Sequence, residues 1–219
     1  MTDPKRKYYE KRANVLIKNL HSRHFEARYC ADKAEALEKA LEWIPAGSSV
    51  GWGGAMSAQQ IGLLDAVRTG DYRALDRERA ATPEERKNIM KQCLGADVFI
   101  TGANALSLDG QMVNIDGNGN RVAALIYGPK RVIVVAGVNK LVRDLDEAIS
   151  RVKCMAAPAN GVRLQTHTPC SRMGRCSGAD GRMTAGCASE RRMCCQYVVT
   201  GYQWEDRIRV VLVGEELGY

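Results

Sequence analysis

Apolar positions in this chain alternate between a helical stripe and short continuous runs, the pattern of helices interleaved with buried strands. Tyr9, Ala13, Leu16 and Leu20 mark one helix over 4–20, and residues 25–30 read as a short strand. Asp32, with Glu35 three positions on, predicts a capped helix that buries Ala34, Leu37, Leu41 and Ile44 and stops at Pro45-Ala-Gly47. A strand at 48–52 runs into Gly53-Gly54 and an apolar helix at 61–67, whereas the charged residues 69–81 predict a loop or short helix on the surface. Thr82-Pro-Glu-Glu85 opens a further helix whose apolar face includes Ile89, Met90, Cys93 and Leu94. Cys93 on that stripe and Cys30 at a strand end read as small buried hydrophobes. Residues 97–101 form the next strand.

The stretch 101–140 organises the rest. It reads as a strand at 111–115, a turn at 116–120, a helix at 121–127 stopped by Gly128-Pro129, and a strand at 131–136. Val132-Ile-Val-Val-Ala136 lacks polar alternation, which fits a strand covered on both faces in a parallel sheet. A helix reaching 152 and β-branched strands at 196–200 and 208–213, expected to close the sheet, complete the order. The fold class is therefore α/β, a mainly parallel sheet flanked by helices, with one domain over 1–219.

Two strand–glycine–helix turns carry the first candidate chemistry. Glycines let backbone N–H groups approach a ligand, and the helix that follows presents its partially positive end. If the two turns face one pocket, Gly53, Gly54, Ser57, Asn104, Asn114, Gly117, Gly119, Asn120, Arg121 and Asn139 are the expected contacts of a small anion, a hydroxy acid or a sugar phosphate. Asp109 or Asp116 would then be the general base and Lys140 the charge stabiliser. Asp-Gly is also ordinary turn chemistry, so a purely conformational role for either aspartate stands beside the catalytic one. Neither turn has G-x-G-x-x-G, and NAD binding is not expected.

Composition changes the picture mainly at the C-terminal end. With 219 residues and no apolar run near the ~18–20 residues of a membrane span, the chain reads as a cytoplasmic globular protein with an N-terminus unlike a secretory signal. Six of its eight cysteines fall at 154–195, and over 151–195 eight of the basic residues behind the net charge of +7 face only Asp180 and Glu190. The segment 168–195 is rich in glycine and poor in apolar residues, so a bound metal would supply ordering that it lacks. Cys170, Cys176, Cys187 and Cys194 are spaced C-x5-C-x10-C-x6-C, suited to Zn²⁺ or an iron–sulfur cluster though without the C-x2-C knuckle of zinc ribbons. Cys195 competes with Cys194 for the fourth place, and Cys154 is an extra candidate. A basic metal-ordered module could also meet nucleic acid, but no reading helix is evident and aromatics are 6% of the chain, which ranks that reading last.

The segment NALSLDGQMVNIDGNGNRVAALIYGPKRVIVVAGVNKLV resembles the central signature of the lactate-utilisation (LUD) domain family. The likeness extends to Gly51-Trp-Gly-Gly-Ala-Met-Ser57, Ala157-Pro-Ala-Asn160, Thr168-Pro-Cys170 and Val213-Gly-Glu-Glu-Leu-Gly218. It implies a fold like the phosphosugar isomerases and CoA-transferases, and a link to oxidation of lactate to pyruvate through iron–sulfur proteins. Compact members of the family carry C-x5-C-x2-C-x6-C, which Cys170, Cys176, Cys187 and Cys194 match in order with a longer middle spacing. The resemblance therefore favours a [4Fe–4S] cluster over zinc. It also implies electron-transfer partner subunits and allows an oligomer. No glutamate lies in 101–140 to serve as a CoA-transferase nucleophile. A stand-alone isomerase, lyase or hydrolase acting on the same kind of anion is the alternative.

Overall fold

The computed structural model describes residues 3–219. Along the chain run α1 (Pro4–Ser22), β1 (Glu26–Cys30), α2 (Lys33–Glu42), β2 (Ser49–Gly53), α3 (Met56–Gln60), α4 (Leu63–Thr69), β3 (Arg73–Leu75) and α5 (Pro83–Gln92). There follow β4 (Val98–Thr101), β5 (Ala105–Ser107), β6 (Met112–Asp116), α6 (Asn120–Ile126), β7 (Arg131–Gly137) and β8 (Leu141–Val142). The last elements are α7 (Leu145–Arg151), α8 (Ala157–Arg163), α9 (Pro169–Met173), β9 (Gln196–Thr200) and β10 (Ile208–Val213).

Six strands in the order β1-β10-β7-β4-β2-β3 make an all-parallel sheet. Alternation along β7 shows why its run is wholly apolar: Val132, Val134 and Ala136 enter the core on one face, while Ile133 and Val135 enter the core on the other. α1 and α6 cover the first face through Leu16, Leu20, Ala124 and Leu125. α2 and α4 cover the second through Ala36, Ala40, Leu63 and Val67. A second, four-stranded sheet, β8-β5-β6-β9, stands apart with mixed pairing and its own small core of Ala105, Val113, Ile115, Val142, Ala148 and Val152.

Several expectations change in detail. The two late strands do not close one sheet: β10 lies inside the large sheet between β1 and β7, and β9 joins the small sheet against β6. The surface segment 69–81 contains β3, an edge strand too short to show a period, and a 3-10 turn at Arg77–Arg79. The apolar helix at 61–67 is broken at Gly62, whose φ of +81° is a left-handed value that glycine tolerates. In α2 the buried side is Ala36 and Ala40, with Leu37 and Leu41 partly buried against the core, and Ala34 is exposed. The cap itself is as expected, Asp32 accepting from Glu35 N at 3.0 Å. Cys30 and Cys93 are buried among apolar neighbours.

Candidate functional site

In the large sheet β2 leads outward to β3, while β4, β7 and β10 progress in the opposite direction. The order of connection therefore reverses between β2 and β4, and a crevice opens beyond their carboxyl ends. A cavity of about 380 Å³ lies there, with Gly54 just past β2 and Gly102 just past β4 in its wall. The turn after β6 supplies Asp116, Gly117 and Asn120, so both predicted glycine turns do meet one pocket. They arrive from different sheets, not from adjacent strands of one.

Arg121 ties these walls together. Its Nη1 donates to Asn114 Oδ1 (2.5 Å) and Gly102 O (3.3 Å), its Nη2 to Ile115 O (2.8 Å) and Asn104 Oδ1 (3.1 Å), and Nε lies 3.7 Å from Asp116 Oδ1. Burial lowers the guanidinium's proton affinity, with Asp116 opposing. A Cβ on Gly54 would stand 2.9 Å from Arg121 Cδ, and the glycine's φ is +59°. Arg121 is therefore a positioning residue with its donors committed to the protein, not the free anion contact expected from sequence. Asp116 is committed too: Oδ2 accepts from Arg121 N (3.1 Å) and Val122 N (3.4 Å). The protein's own carboxylate thus takes the helix end that a substrate anion was expected to use.

Gly54, Asn104, Gly117, Asn120, Arg121, Asp116 and Lys140 line the cavity as foreseen. Other predicted contacts stand behind it. Ser57 is buried beside Lys140, Asn114 holds Arg121, and Asn139 Oδ1 accepts from Leu217 N at 3.0 Å. Gly53 ends β2 and Gly119 caps α6 with φ +81°, neither in the cavity wall. Asp109 is a correction. It lies in the exposed hairpin turn between β5 and β6, bonded to Ser107, and the cavity does not reach it.

Residues that sequence reading missed supply most of the free charge. Arg77 and Glu78 from the 3-10 turn, Arg86 from α5, and Asn160 and Arg163 from α8 complete the wall. Among the described residues, Arg77 Nε is buried without a partner, and its Nη1 reaches only the Met90 sulfur at 3.6 Å. Burial, helped by Arg86, lowers its proton affinity. Five basic side chains thus meet two carboxylates in this wall, a balance that favours an anion. A signal for Asn160 existed in the family-like Ala157-Pro-Ala-Asn160, and the arginines had none, because tertiary packing brings 77–86 over the crevice.

Lys140, in the turn after β7, is 4% exposed. Burial, with repulsion from Arg151 and Arg121, pushes its amine down to about 7.

The cysteines form the adjoining site. Cys170 on α9, with Cys176, Cys187 and Cys194, lines one small cavity of about 20 Å³. Cys195 and Cys154 are exposed and outside it, which separates Cys194 from its neighbour. Burial, with added repulsion from Cys170 and Cys176, pushes the Cys194 thiol up to about 11. The long middle spacing is folded back by two cations. Lys153 Nζ donates to Gly178 O (2.9 Å), Gly181 O (3.1 Å) and Arg182 O (2.6 Å), and Arg192 donates to Thr184 O, Cys187 O and Cys194 O. Met193 and Cys194 line the large cavity as well as the small one. Cys195 N donates to Asp116 O at 3.0 Å, which seats the end of the cysteine segment on the central turn.

Among the described residues, no three His, Cys, Asp or Glu groups are close enough to hold one metal ion. The small cavity has room for about one water, so the thiols must part to admit a cluster. The donor set is nonetheless that of a sulfur-ligated group, with four thiols facing one space.

Among solved structures, a DUF162 family protein from Deinococcus radiodurans is similar over 95% of this chain and 98% of its own, with a TM-score of 0.50 and 14% identity. Ribose 5-phosphate isomerase A from Methanocaldococcus jannaschii matches 52% of this chain and 56% of its own at TM-score 0.36 and 19% identity. The eIF2B beta subunit from Chaetomium thermophilum matches 51% of this chain and 43% of its own at TM-score 0.35 and 19% identity. No curated protein matches the chain. Residues 13–213 match the LUD domain, and the chain belongs to the LUD domain family.

Proposed function

We propose that this chain is an iron–sulfur protein that takes part in oxidising a small organic acid and passes electrons within a larger complex. Lactate to pyruvate is the reaction that the family resemblance implies. The observation that carries the reading is the wall shared by two cavities, in which Cys194 faces both the thiol pocket and the anion pocket. Cys170, Cys176, Cys187 and Cys194 would hold a [4Fe–4S] cluster, whose contribution when bound is one-electron transfer. A single zinc ion draws four thiolates to about 2.3 Å from one point, whereas a cluster spreads them over separate irons. The family-like order of Cys170, Cys176, Cys187 and Cys194 is what favours the cluster over zinc.

The chain's own residues would bind and orient the acid. Arg77, Arg86 and Arg163 offer charge to its carboxylate. Asn104 Oδ1 is fixed by Arg121 Nη2 and Ile115 N, which leaves its Nδ2 to donate into the cavity. Asp116, already capping α6, would hold the turn in place and not take a proton. The nucleic-acid reading loses support because Lys153 and Arg192, two of the basic residues behind it, are bonded to backbone carbonyls of the cysteine segment.

Anaerobic reconstitution tests the reading. Wild-type protein should acquire about four irons and four sulfides per chain and turn brown, Cys187→Ala should lose that colour, and Cys195→Ala should keep it. A colourless, iron-free wild-type protein would remove the claim.

A further inference from the structure

Lys140 is buried and yet lines the large cavity. Ser57 Oγ, at 3.0 Å, is the one hydrogen-bond partner of its Nζ among the described residues, and Ser57 in turn donates to Leu217 O at 3.4 Å. The charged groups acting on the amine are Arg151 and Arg121, both cations. Glycines keep space around it: a Cβ on Gly102 or Gly218 would stand 3.7 or 3.1 Å from Nζ. No ion pair reaches Lys140 among the described residues.

We propose that Lys140 is a nucleophile that forms an imine with a 2-oxo acid bound in this cavity. A desolvated lysine beside other cations is the setting that activates an amine. With its amine brought down to about 7, roughly half the molecules carry an unprotonated Nζ near neutral pH. The cavity's arginines give the carboxylate a seat, which selects an anionic carbonyl compound over a neutral one.

The step balances without an oxidant. The Nζ lone pair attacks the carbonyl carbon, and the C=O π pair moves to oxygen, which gains a proton. Nitrogen loses a proton, for which Ser57 Oγ is placed as a relay. The nitrogen lone pair then forms C=N as the hydroxyl, taking up the remaining N–H proton, leaves as water, so amine and 2-oxo acid become imine and water. This names the ligand class of the anion cavity and rests on that part of the proposed function, not on the cluster.

The full chain incubated with pyruvate and cyanoborohydride, then digested and mapped by mass spectrometry, tests it. One reduced adduct is expected, on Lys140, and none with acetone at the same concentration. Ser57→Ala should slow adduct formation by about tenfold or more, and Lys140→Met should lose it. Labelling confined to surface lysines, or equal labelling by acetone, would overturn the proposal. Iron measured on the same preparation separates the two claims: iron without the adduct refutes the imine alone, and the adduct without iron supports the imine and refutes the cluster.

Discussion

Arg121 makes four side-chain hydrogen bonds from a buried position. Replacing it with alanine would leave Asn104, Asn114, Gly102 and Ile115 acceptors facing a hole beside Asp116. Loss of one partner of a buried ion pair costs about 3–5 kcal/mol, and urea unfolding of Arg121→Ala should show a loss of that size. Lys140 gives the opposite result. Its folded pKa of about 7 lies below the ordinary 10.5, so between those values the folded state binds fewer protons than the unfolded state. Stability should therefore rise with pH across that window, by up to about 1.4 kcal/mol per unit, with the full penalty present below it. Lys140→Met removes the penalty, so its advantage over wild type should be largest near pH 6 and shrink toward pH 10. A constant advantage across that range would contradict the burial argument. Cysteines were legible at this scale because thiols in a glycine-rich segment have few other uses. Arg121 was misread as a ligand contact because its type announces charge, and only packing shows where the charge is spent.

At the scale of elements, the helix from α7 to α8 is continuous through a π-helical turn at Val152–Ala156, which carries the buried Lys153. That lysine holds three carbonyls of the loop between Cys176 and Cys187. Hydrogen bonds to a charged group contribute about 1.5–3 kcal/mol each, so Lys153→Met should open the loop at least about tenfold more often. Trypsin cleavage after the exposed Arg182, followed by mass spectrometry, reads this directly; an unchanged rate would show that the clasp is not what holds the loop. The α6 cap belongs here too. Asp116→Ala should cost about 0.5–2 kcal/mol in thermal or urea unfolding through loss of the cap. Strands such as β7 were legible from their unbroken apolar runs. β3 was not, since Arg73–Leu75 is too short to show a period. The position of β10 between β1 and β7 was hidden for another reason: strand order is a long-range choice that local periodicity does not encode.

For the whole molecule, the parallel sheet sets up the crevice where its connections reverse, the small sheet carries the central turn to it, and β9 returns the cysteine segment to the same place. The α/β class and the approach of two glycine turns to one pocket followed from sequence. The second sheet and the arginines of 77–86 did not, because they depend on how distant segments pack. Among the described residues, no helix is long and apolar enough to cross a membrane. Under the proposed function, one inorganic centre would stand beside one anion pocket, with Cys194 lining both cavities. Anomalous diffraction at the iron edge, from crystals of anaerobically reconstituted protein, tests this most directly. The account predicts a single strong iron peak enclosed by Cys170, Cys176, Cys187 and Cys194, and a peak elsewhere, or none, would contradict it.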